Sequence, residues 1–370
     1  MMLPFTIPDR AGHISDSFQD SLVSVPGLCY SVEAGMLHAL KVLACHLCAL
    51  RSGLGLRLRR RIMDKNKLFA AAGAGLAGLI WFLKRKKQLT FDARDKTILI
   101  TGASSGIGLS MAILYARQGA RLVLNARSED ALAAAERAVL DAGAAGVLSV
   151  RGDVATAEGR AALVEKTADF CGEGALDLLV LNAGISMGET VEELVAGGDF
   201  DAVARRLMEV NYFGSVGVLA PLLSRLSQAD AVRVVGVNSV VGLVAPPTRS
   251  GYAASKMALG GFLDSLRVEL RMSGKRAAIT QAYPGNTATG INDRRLGTGG
   301  QRPLDFRVAM TADAVAAKIV AGVAVGARDV YFPVSATSSL LKVHALRVLN
   351  CVAPALCDAL LYVPGKKKAR

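Results

Sequence analysis

Residues 97–114 read Thr-Ile-Leu-Ile-Thr-Gly-Ala-Ser-Ser-Gly-Ile-Gly-Leu-Ser-Met-Ala-Ile-Leu. The apolar start predicts a buried strand, the three glycines predict a tight turn, and the apolar run after them predicts a helix. Glycine lets a backbone approach a pyrophosphate closely, and the amino end of a helix offers free N–H groups with a partial positive charge. The stretch therefore predicts a strand–turn–helix unit that holds a dinucleotide.

Outward from this unit, short apolar strand patterns alternate with helical patterns from about residue 96 to residue 332. This alternation is typical of a doubly wound α/β domain with a parallel sheet. About 240 residues suffice to enclose one hydrophobic core. The second strand is predicted to end within residues 121–128, and further strands are predicted at 147–151, 176–181, 277–283 and 328–332.

The second informative pattern consists of Ser239, Tyr252 and Lys256. Ser239 ends a β-branched strand pattern, and the four-residue spacing of Tyr252 and Lys256 puts both side chains on one face of a helix. A phenol titrates near pH 10, so we expect Lys256 to lower the pKa of Tyr252 and Ser239 to bind a substrate carbonyl. Because Tyr-x-x-x-Lys alone is common on amphipathic helices, this interpretation depends on the glycine-rich turn as well.

With both patterns in this order, the chain resembles the short-chain dehydrogenase/reductase family. The resemblance implies a single Rossmann-type domain with a parallel seven-stranded sheet, and hydride transfer between a nicotinamide cofactor and a carbonyl carbon. It also implies a fourth catalytic residue, Asn211, which anchors a water in the proton relay to Lys256. The predicted catalytic residues are Asn211, Ser239, Tyr252 and Lys256.

The same resemblance implies a set of cofactor contacts. Asp153 matches the position that meets the adenine ring, the Asn-Ala-Gly turn at 182–184 supports the sheet and the cofactor, and the Pro-Gly-x-x-x-Thr segment at 284–289 lies against the nicotinamide. No metal site is predicted. The predicted cofactor-binding residues are Gly102, Ser104, Ser105, Gly106, Ile107, Gly108, Arg127, Asp153, Asn182, Ala183, Gly184, Tyr252, Lys256, Pro284, Gly285 and Thr289.

The end of the second strand favours NADP(H). An acidic residue there would bind the ribose 2′-hydroxyl and repel a 2′-phosphate, but the chain has Ala126 followed by Arg127. The alternative is that Arg127 is a solvated charge at the strand end. Ser105 stands where many NADP-using relatives have a basic residue, so the preference need not be strict.

Three positions depart from the family pattern without touching the four catalytic residues. Leu181 replaces the first Asn of Asn-Asn-Ala-Gly, and Asn238 replaces the first Ser of Ser-Ser. The pair Asn286-Thr287 follows Pro-Gly, where aromatic or aliphatic residues are more usual, so packing near the nicotinamide is expected to differ.

Charge is concentrated at the two ends of the chain. Of 44 basic and 31 acidic residues, 13 and 5 lie in residues 1–91, and 4 and 0 lie in residues 366–370. The remaining chain is nearly neutral, so the net charge of +13 indicates a membrane surface rather than nucleic acid.

The amino-terminal part predicts a membrane anchor at 63–91. Residues 68–83 carry no charge, include Trp81 and precede a run of four basic residues, although sixteen residues are short for a span. The basic flank favours a cytosolic catalytic domain at 92–335. Residues 1–62 are unassigned and represent either an incorrectly assigned start codon before Met63 or a targeting presequence. The six cysteines are expected to be reduced.

The carboxyl-terminal part, 336–370, is apolar until its basic tail. Pro354 should divide the apolar stretch into two pieces that cover the active-site cleft at the membrane interface. The alternative is an ordinary final helix packed on the sheet. The tail Lys-Lys-Lys-Ala-Arg resembles a dilysine retrieval signal and indicates the endoplasmic reticulum, with binding to anionic lipid as the alternative.

Several short motifs make the chain most similar to the membrane-bound group related to 11β-hydroxysteroid dehydrogenases and acyl/alkyl-dihydroxyacetone-phosphate reductases. This implies NADPH-dependent reduction of a hydrophobic, lipid- or steroid-like ketone. A 3-ketosphinganine reductase is the alternative enzyme, and a non-catalytic NADP(H)-binding membrane scaffold or redox sensor is the alternative of another class. The family also makes a homodimer or homotetramer plausible.

Overall fold

The computed structural model describes residues 89–291, 295–297 and 309–334, with residues 344, 345, 348 and 360. The predicted amino-terminal extension and the apolar segment at 68–83 lie outside the described residues. Most of the carboxyl-terminal segment at 336–370 does as well.

One parallel sheet of seven strands organises the described part of the chain. Its strands are β1 (Thr97–Thr101), β2 (Arg121–Ala126), β3 (Gly146–Arg151), β4 (Leu178–Leu181), β5 (Val232–Val237), β6 (Ala277–Tyr283) and β9 (Asp329–Tyr331). Their spatial order is β3-β2-β1-β4-β5-β6-β9. A separate two-stranded sheet pairs β7 (Thr287–Ala288) with β8 (Met310–Thr311). The predicted doubly wound, seven-stranded sheet is therefore confirmed.

Eight α-helices connect the described strands. They are α1 (Gly106–Ala116), α2 (Glu129–Asp141), α3 (Ala157–Cys171), α4 (Val191–Ala196), α5 (Phe200–Met208), α6 (Gly214–Leu226), α7 (Ser250–Met272) and α8 (Ala312–Ala324). A π-helical turn at Glu209–Phe213 joins α5 to α6. The predicted bounds need small corrections, because β4 begins at Leu178 rather than 176 and β9 is shorter at both ends than the predicted 328–332.

Hydrophobic layers cover both faces of the sheet, as parallel strands require. All residues of β1, β4 and β5 are buried. One layer holds Met111 of α1, Leu132 of α2 and Ile319 of α8. The other layer holds Leu163 of α3, Leu222 of α6 and Leu263 of α7. The continuous apolar runs of the strands thus follow from burial on two sides.

The order in which the chain adds strands reverses at the centre of the sheet, although all seven strands are parallel. From β1 the chain winds outward through β2 and β3 and then crosses back to β4, which pairs with β1 through Ile98 and Leu178. A crevice opens beyond the carboxyl ends of the strands at such a reversal, and ligands of open α/β sheets bind there.

Within the described residues, Phe200–Leu226 has the length and composition of a membrane span. About half of its most apolar window, 44%, is buried inside the domain. It also contains Asn211, which is completely buried. We therefore assign this stretch to the hydrophobic core; it is distinct from the anchor predicted at 68–83.

Candidate active site

A cavity of about 860 Å³ lies at the carboxyl edge of the sheet. Every predicted site residue lines it except Gly108 and Asn211. These two lie immediately beneath the wall, where Gly108 packs against Gly102 and Asn211 against Ile185. The structure therefore brings the predicted cofactor and catalytic residues to one place.

The glycine-rich turn forms one wall of the cavity. Gly102 and Gly106 have φ angles of 66° and 55°, a region that favours glycine. A Cβ on Gly108 would lie 2.3 Å from the carbonyl oxygen of Gly102, so the turn closes only with glycine there. Because the turn leads directly into α1, its N–H groups offer a cradle for phosphate.

Thr101 and Asn182 join the glycine-rich turn to the end of β4. The Oγ1 atom of Thr101 accepts hydrogen bonds from the backbone N–H groups of Asn182 and Ala183, at 3.0 and 3.1 Å. The Nδ2 atom of Asn182 donates to the carbonyl oxygens of Thr101 and Gly102, both at 3.0 Å. The Asn-Ala-Gly turn thus fixes the two sides of the crevice against each other.

Ser239, Tyr252 and Lys256 meet beside this crevice. Ser239 lies two residues beyond β5, and its Oγ is 3.4 Å from the carbonyl oxygen of Pro284 and accepts from the N–H of Val241 at 3.2 Å. Tyr252 and Lys256 lie in the first two turns of α7. The Nζ of Lys256 is 6.0 Å from the centre of the Tyr252 ring and donates to the carbonyl oxygen of Val237 at 2.9 Å.

Burial dominates the protonation of this pair. Burial raises the pKa of Tyr252, although a hydrogen bond with Ser239 and the charge of Arg249 act in the opposite direction. Burial also lowers the pKa of Lys256 to about 8. The expectation that Lys256 lowers the pKa of Tyr252 finds no support in this structure, because burial of the phenol outweighs the hydrogen bond with Ser239 and the charge of Arg249. Tyr252 is a neutral phenol at physiological pH.

Asn211 lies on the π-helical turn between α5 and α6. Its Oδ1 accepts from the N–H of Ile185 at 2.9 Å, and its Nδ2 donates to the carbonyl oxygen of Ile185 and to Oγ of Ser255. A Cβ on Gly184 would lie 3.2 Å from Asn211 Oδ1 and 3.4 Å from Lys256 Nζ. Asn211 and Lys256 therefore face the same small space behind the Asn-Ala-Gly turn.

The opposite end of the cavity is charged. Arg127 is exposed at the end of β2 and lines the rim. Asp153 accepts from the N–H of Ala155 at 3.0 Å and pairs with Arg206 at 2.7 Å. Partial burial would raise the pKa of Asp153, but these two hydrogen bonds and the charges of Arg206 and Arg127 hold it below its usual range. The rim thus presents one carboxylate between two guanidinium groups.

The segment after β6 closes the cavity near Ser239. The carbonyl oxygen of Pro284 accepts from the N–H of Val240 at 3.0 Å. A Cβ on Gly285 would lie 2.0 Å from the carbonyl oxygen of Pro333. Thr289 approaches the glycine-rich turn so closely that a Cβ on Gly106 would lie 3.0 Å from its Cγ2. The Pro-Gly-x-x-x-Thr segment therefore runs from the neighbourhood of Ser239 to the glycine-rich turn.

The three departures from the family pattern fit the packing, except that the buried Oδ1 atom of Asn238 has no hydrogen-bond partner among the described residues. Leu181 is buried in the hydrophobic layer beneath the sheet. Asn238 is buried, and its Nδ2 donates to Oε1 of Gln281 at 2.7 Å. Asn286 is held by its backbone, which donates to Val334 O at 2.7 Å. Thr287 is buried and donates its hydroxyl to Gly285 O.

Sequence reasoning missed Arg249 and Ser186. Arg249 precedes α7, lines the cavity, and donates through Nη1 to Ser186 Oγ at 3.0 Å and to Met187 O. Burial and then the charge of Arg295 lower the pKa of Arg249 to about 10. A signal was present, since Arg249 stands three residues before Tyr252 and therefore on the same side of the helix start.

The arrangement fits a nicotinamide dinucleotide. It combines a glycine cradle that a Cβ would fill, a polar rim with Arg127 and Asp153, and a buried phenol and hydroxyl at the other end. Among the residues that the structure describes, no group of His, Cys, Asp or Glu side chains could hold a metal ion. Such a site can transfer a hydride with a proton supplied by the protein.

Comparison with known proteins defines the class. The family model "short chain dehydrogenase" matches residues 96–297. "Hydroxysteroid 11-beta-dehydrogenase 1-like protein" of Gallus gallus is 34% identical over 285 residues, which cover 77% of this chain and 93% of that protein. The chain belongs to the short-chain dehydrogenase/reductase family and is thus a member of a family of oxidoreductases that act on alcohol and ketone groups.

Solved structures agree with this fold. A short-chain dehydrogenase/reductase from Burkholderia phymatum in complex with NAD has a TM-score of 0.60 and 25% identity, and the match covers 76% of this chain and all of that one. A short-chain dehydrogenase from Sphingobium yanoikuyae in complex with NADPH has a TM-score of 0.56 and 26% identity, over 74% of this chain and 98% of that one. Relatives of this fold thus use either cofactor.

Proposed function

We propose that the protein is an NADP(H)-dependent reductase, and in reverse an alcohol dehydrogenase, for hydrophobic ketones of lipid or steroid type. The observation that carries this proposal is the meeting of Ser239, Tyr252 and Lys256 in the same cavity as the glycine-rich turn. The name of the chicken relative includes a hydroxysteroid, which supports a hydrophobic substrate. The catalytic domain is proposed to span 92–335.

In this proposal the roles of the residues follow from their positions. Ser239 donates a hydrogen bond to the substrate carbonyl oxygen and holds it against Tyr252. Tyr252, a neutral phenol, donates the proton to that oxygen as the carbonyl is reduced. Lys256 returns a proton to Tyr252, with Asn211 fixing the space behind them. The nicotinamide cofactor supplies the hydride when it is bound.

Cofactor binding is assigned to the predicted set. The glycine-rich turn and the amino end of α1 bind the pyrophosphate, Asp153 meets the adenine side, and the segments at 182–184 and 284–289 hold the nicotinamide end. The exposed guanidinium of Arg127 at the rim is suited to a 2′-phosphate, and the neighbouring Ala126 presents no repelling carboxylate. We therefore favour NADP(H) over NAD(H).

The location is proposed from the charge distribution. A segment at 68–83 followed by basic residues anchors the protein in the membrane, with the catalytic domain on the cytosolic side. The basic carboxyl-terminal tail acts as a retrieval signal that keeps the protein in the endoplasmic reticulum. In this proposal an apolar ketone reaches the enzyme from the membrane.

The reaction is tested by following NADPH oxidation with the detergent-solubilised full-length protein across lipid, steroid and sphingoid ketones. We expect turnover with one class of ketone. Tyr252→Phe should lower kcat/KM by about 10²- to 10⁴-fold, because the proton donor is removed. The control is Tyr212→Phe, which removes a phenol that packs against Phe262 instead. NADPH binding without turnover of any ketone would favour the non-catalytic scaffold.

Cofactor preference is tested at the rim of the cavity. Arg127→Ala should raise KM for NADPH by about 10- to 100-fold and leave KM for NADH nearly unchanged, because a charge-assisted hydrogen bond to the 2′-phosphate is lost. Arg151→Ala is the matched control, since Arg151 ends the neighbouring strand and pairs with Glu129. Equal effects of Arg127→Ala on both cofactors would contradict the assignment.

The pH profile tests the role of Lys256. Because its folded pKa of about 8 is below the usual value, Lys256 is protonated below that pH and loses its proton as the pH rises through it. We expect kcat/KM for ketone reduction to fall above about pH 8. Lys256→Arg should lower kcat/KM at every pH and abolish this fall, because a guanidinium keeps its proton and cannot return it to Tyr252. Lys275→Arg, on the surface, should keep the wild-type profile. A fall at the same pH in Lys256→Arg would remove Lys256 from the relay.

A further inference from the structure

Arg249 is a cation at the catalytic end of the cavity that the proposed reaction does not use. It lies three residues before Tyr252 and lines the same cavity as Ser239 and Tyr252. Its Nη1 donates to Ser186 Oγ at 3.0 Å and to the carbonyl oxygen of Met187. Both partners are neutral, so these bonds fix the side chain without neutralising its charge.

The guanidinium of Arg249 has donors to spare. A guanidinium carries five N–H groups, and within the part of the chain that the structure describes only Nη1 makes hydrogen bonds. No carboxylate of the described residues pairs with Arg249. By contrast, Arg206, which also lines the cavity, is paired with Asp153 at 2.7 Å. Arg249 therefore differs from its neighbour in having charge and donors available to a ligand.

Holding Arg249 in this place costs stability. Arg295 lies close enough to repel it, and burial disfavours its charge. The preceding residue, Thr248, has a φ angle of 67°, a region that β-branched side chains rarely adopt. Strain of this kind persists near functional sites, where the surrounding structure compensates for it. The position of Arg249 is thus maintained against three opposing effects.

Three apolar side chains also line this end of the cavity. Ile185, Val241 and Leu296 line the cavity and pack on the hydrophobic cluster that includes Tyr252. A ligand that packs against these side chains would be largely hydrocarbon, with one anionic group next to Arg249.

We propose that Arg249 binds an anionic oxygen group, a phosphate monoester or a carboxylate, on the ketone substrate. The substrate class is then an anionic amphiphile whose charged group lies within a few bonds of the carbonyl, because Arg249 and Tyr252 are one helical turn apart. A planar guanidinium suits both groups, since it can donate two parallel hydrogen bonds. This inference rests on the proposed function and narrows its substrate.

The test uses matched pairs of ketones with the full-length protein in nonionic detergent and NADPH. One pair is 2-oxohexadecyl phosphate and its dephosphorylated alcohol, and the other is 3-oxohexadecanoate and its methyl ester. Arg249→Gln should lower kcat/KM for an anionic member by about 10- to 100-fold more than for its neutral partner. Arg249→Lys should restore part of the loss. Arg271→Gln, exposed at the end of α7, is the control and should resemble the wild type.

Two results would overturn the inference: a wild-type preference for the neutral members, or an equal loss for both members in Arg249→Gln. The equal loss would mean that Arg249 only supports Ser186 and Met187. Failure of the proposed function gives a different result, namely no turnover of any ketone by the wild type. In that case, the inference is tested by the rise in melting temperature that 2-oxohexadecyl phosphate causes. A rise in the wild type that is lost in Arg249→Gln supports the anionic site, and an equal rise in the wild type and in Arg249→Gln refutes it.

Discussion

The hydrogen bonds between Thr101 and Asn182 hold the centre of this structure together. They join the ends of β1 and β4, the two strands between which the strand order reverses. Parallel strands present their carboxyl ends on one side, so a reversal leaves a crevice there that neighbouring loops cannot fill. By fixing both edges of that crevice, Thr101 and Asn182 set the separation of the glycine-rich turn from the turn that supports Asn211 and Lys256. Cofactor cradle and catalytic groups thus share one frame.

At the catalytic end of the cavity, burial of polar side chains costs stability and sets their protonation. Asn211, Tyr252 and Lys256 are each less than one tenth exposed, and burying a titratable group disfavours its charged form. The pKa of Tyr252 rises and that of Lys256 falls to about 8, so a neutral phenol lies beside an ammonium group that loses its proton more readily than a free lysine. Hydrogen bonds to Val237, Ile185 and Ser255 compensate for part of this cost. A phenol kept protonated in this way is suited to protonating a carbonyl oxygen.

Local sequence could predict the sheet because burial on two faces demands apolar strands and tight turns demand glycine. Residues 97–114 and the β6 strand followed this rule closely. It could not predict the π-helical turn that carries Asn211, which depends on packing between α5, α6 and α7. Nor could it predict the protonation of Tyr252, because spacing shows that Lys256 is near but not how completely both are desolvated. Arg249 was missed although it stands near Tyr252 in sequence, because the side chain is fixed by a hydrogen bond to Ser186, which is distant in sequence. The roles of the site residues remain predictions.

The central claim is that one cavity holds a nicotinamide cofactor and a ketone side by side, with Tyr252 as proton donor. The most direct test uses NADPH in which both hydrogens at C4 of the nicotinamide are replaced by deuterium. Deuterium is then followed into the product of a ketone that the wild type reduces. The account predicts that deuterium appears on the carbinol carbon, and that Tyr252→Phe suppresses this transfer although it still binds NADPH. A product without deuterium, or labelling at the wild-type rate in Tyr252→Phe, would contradict it.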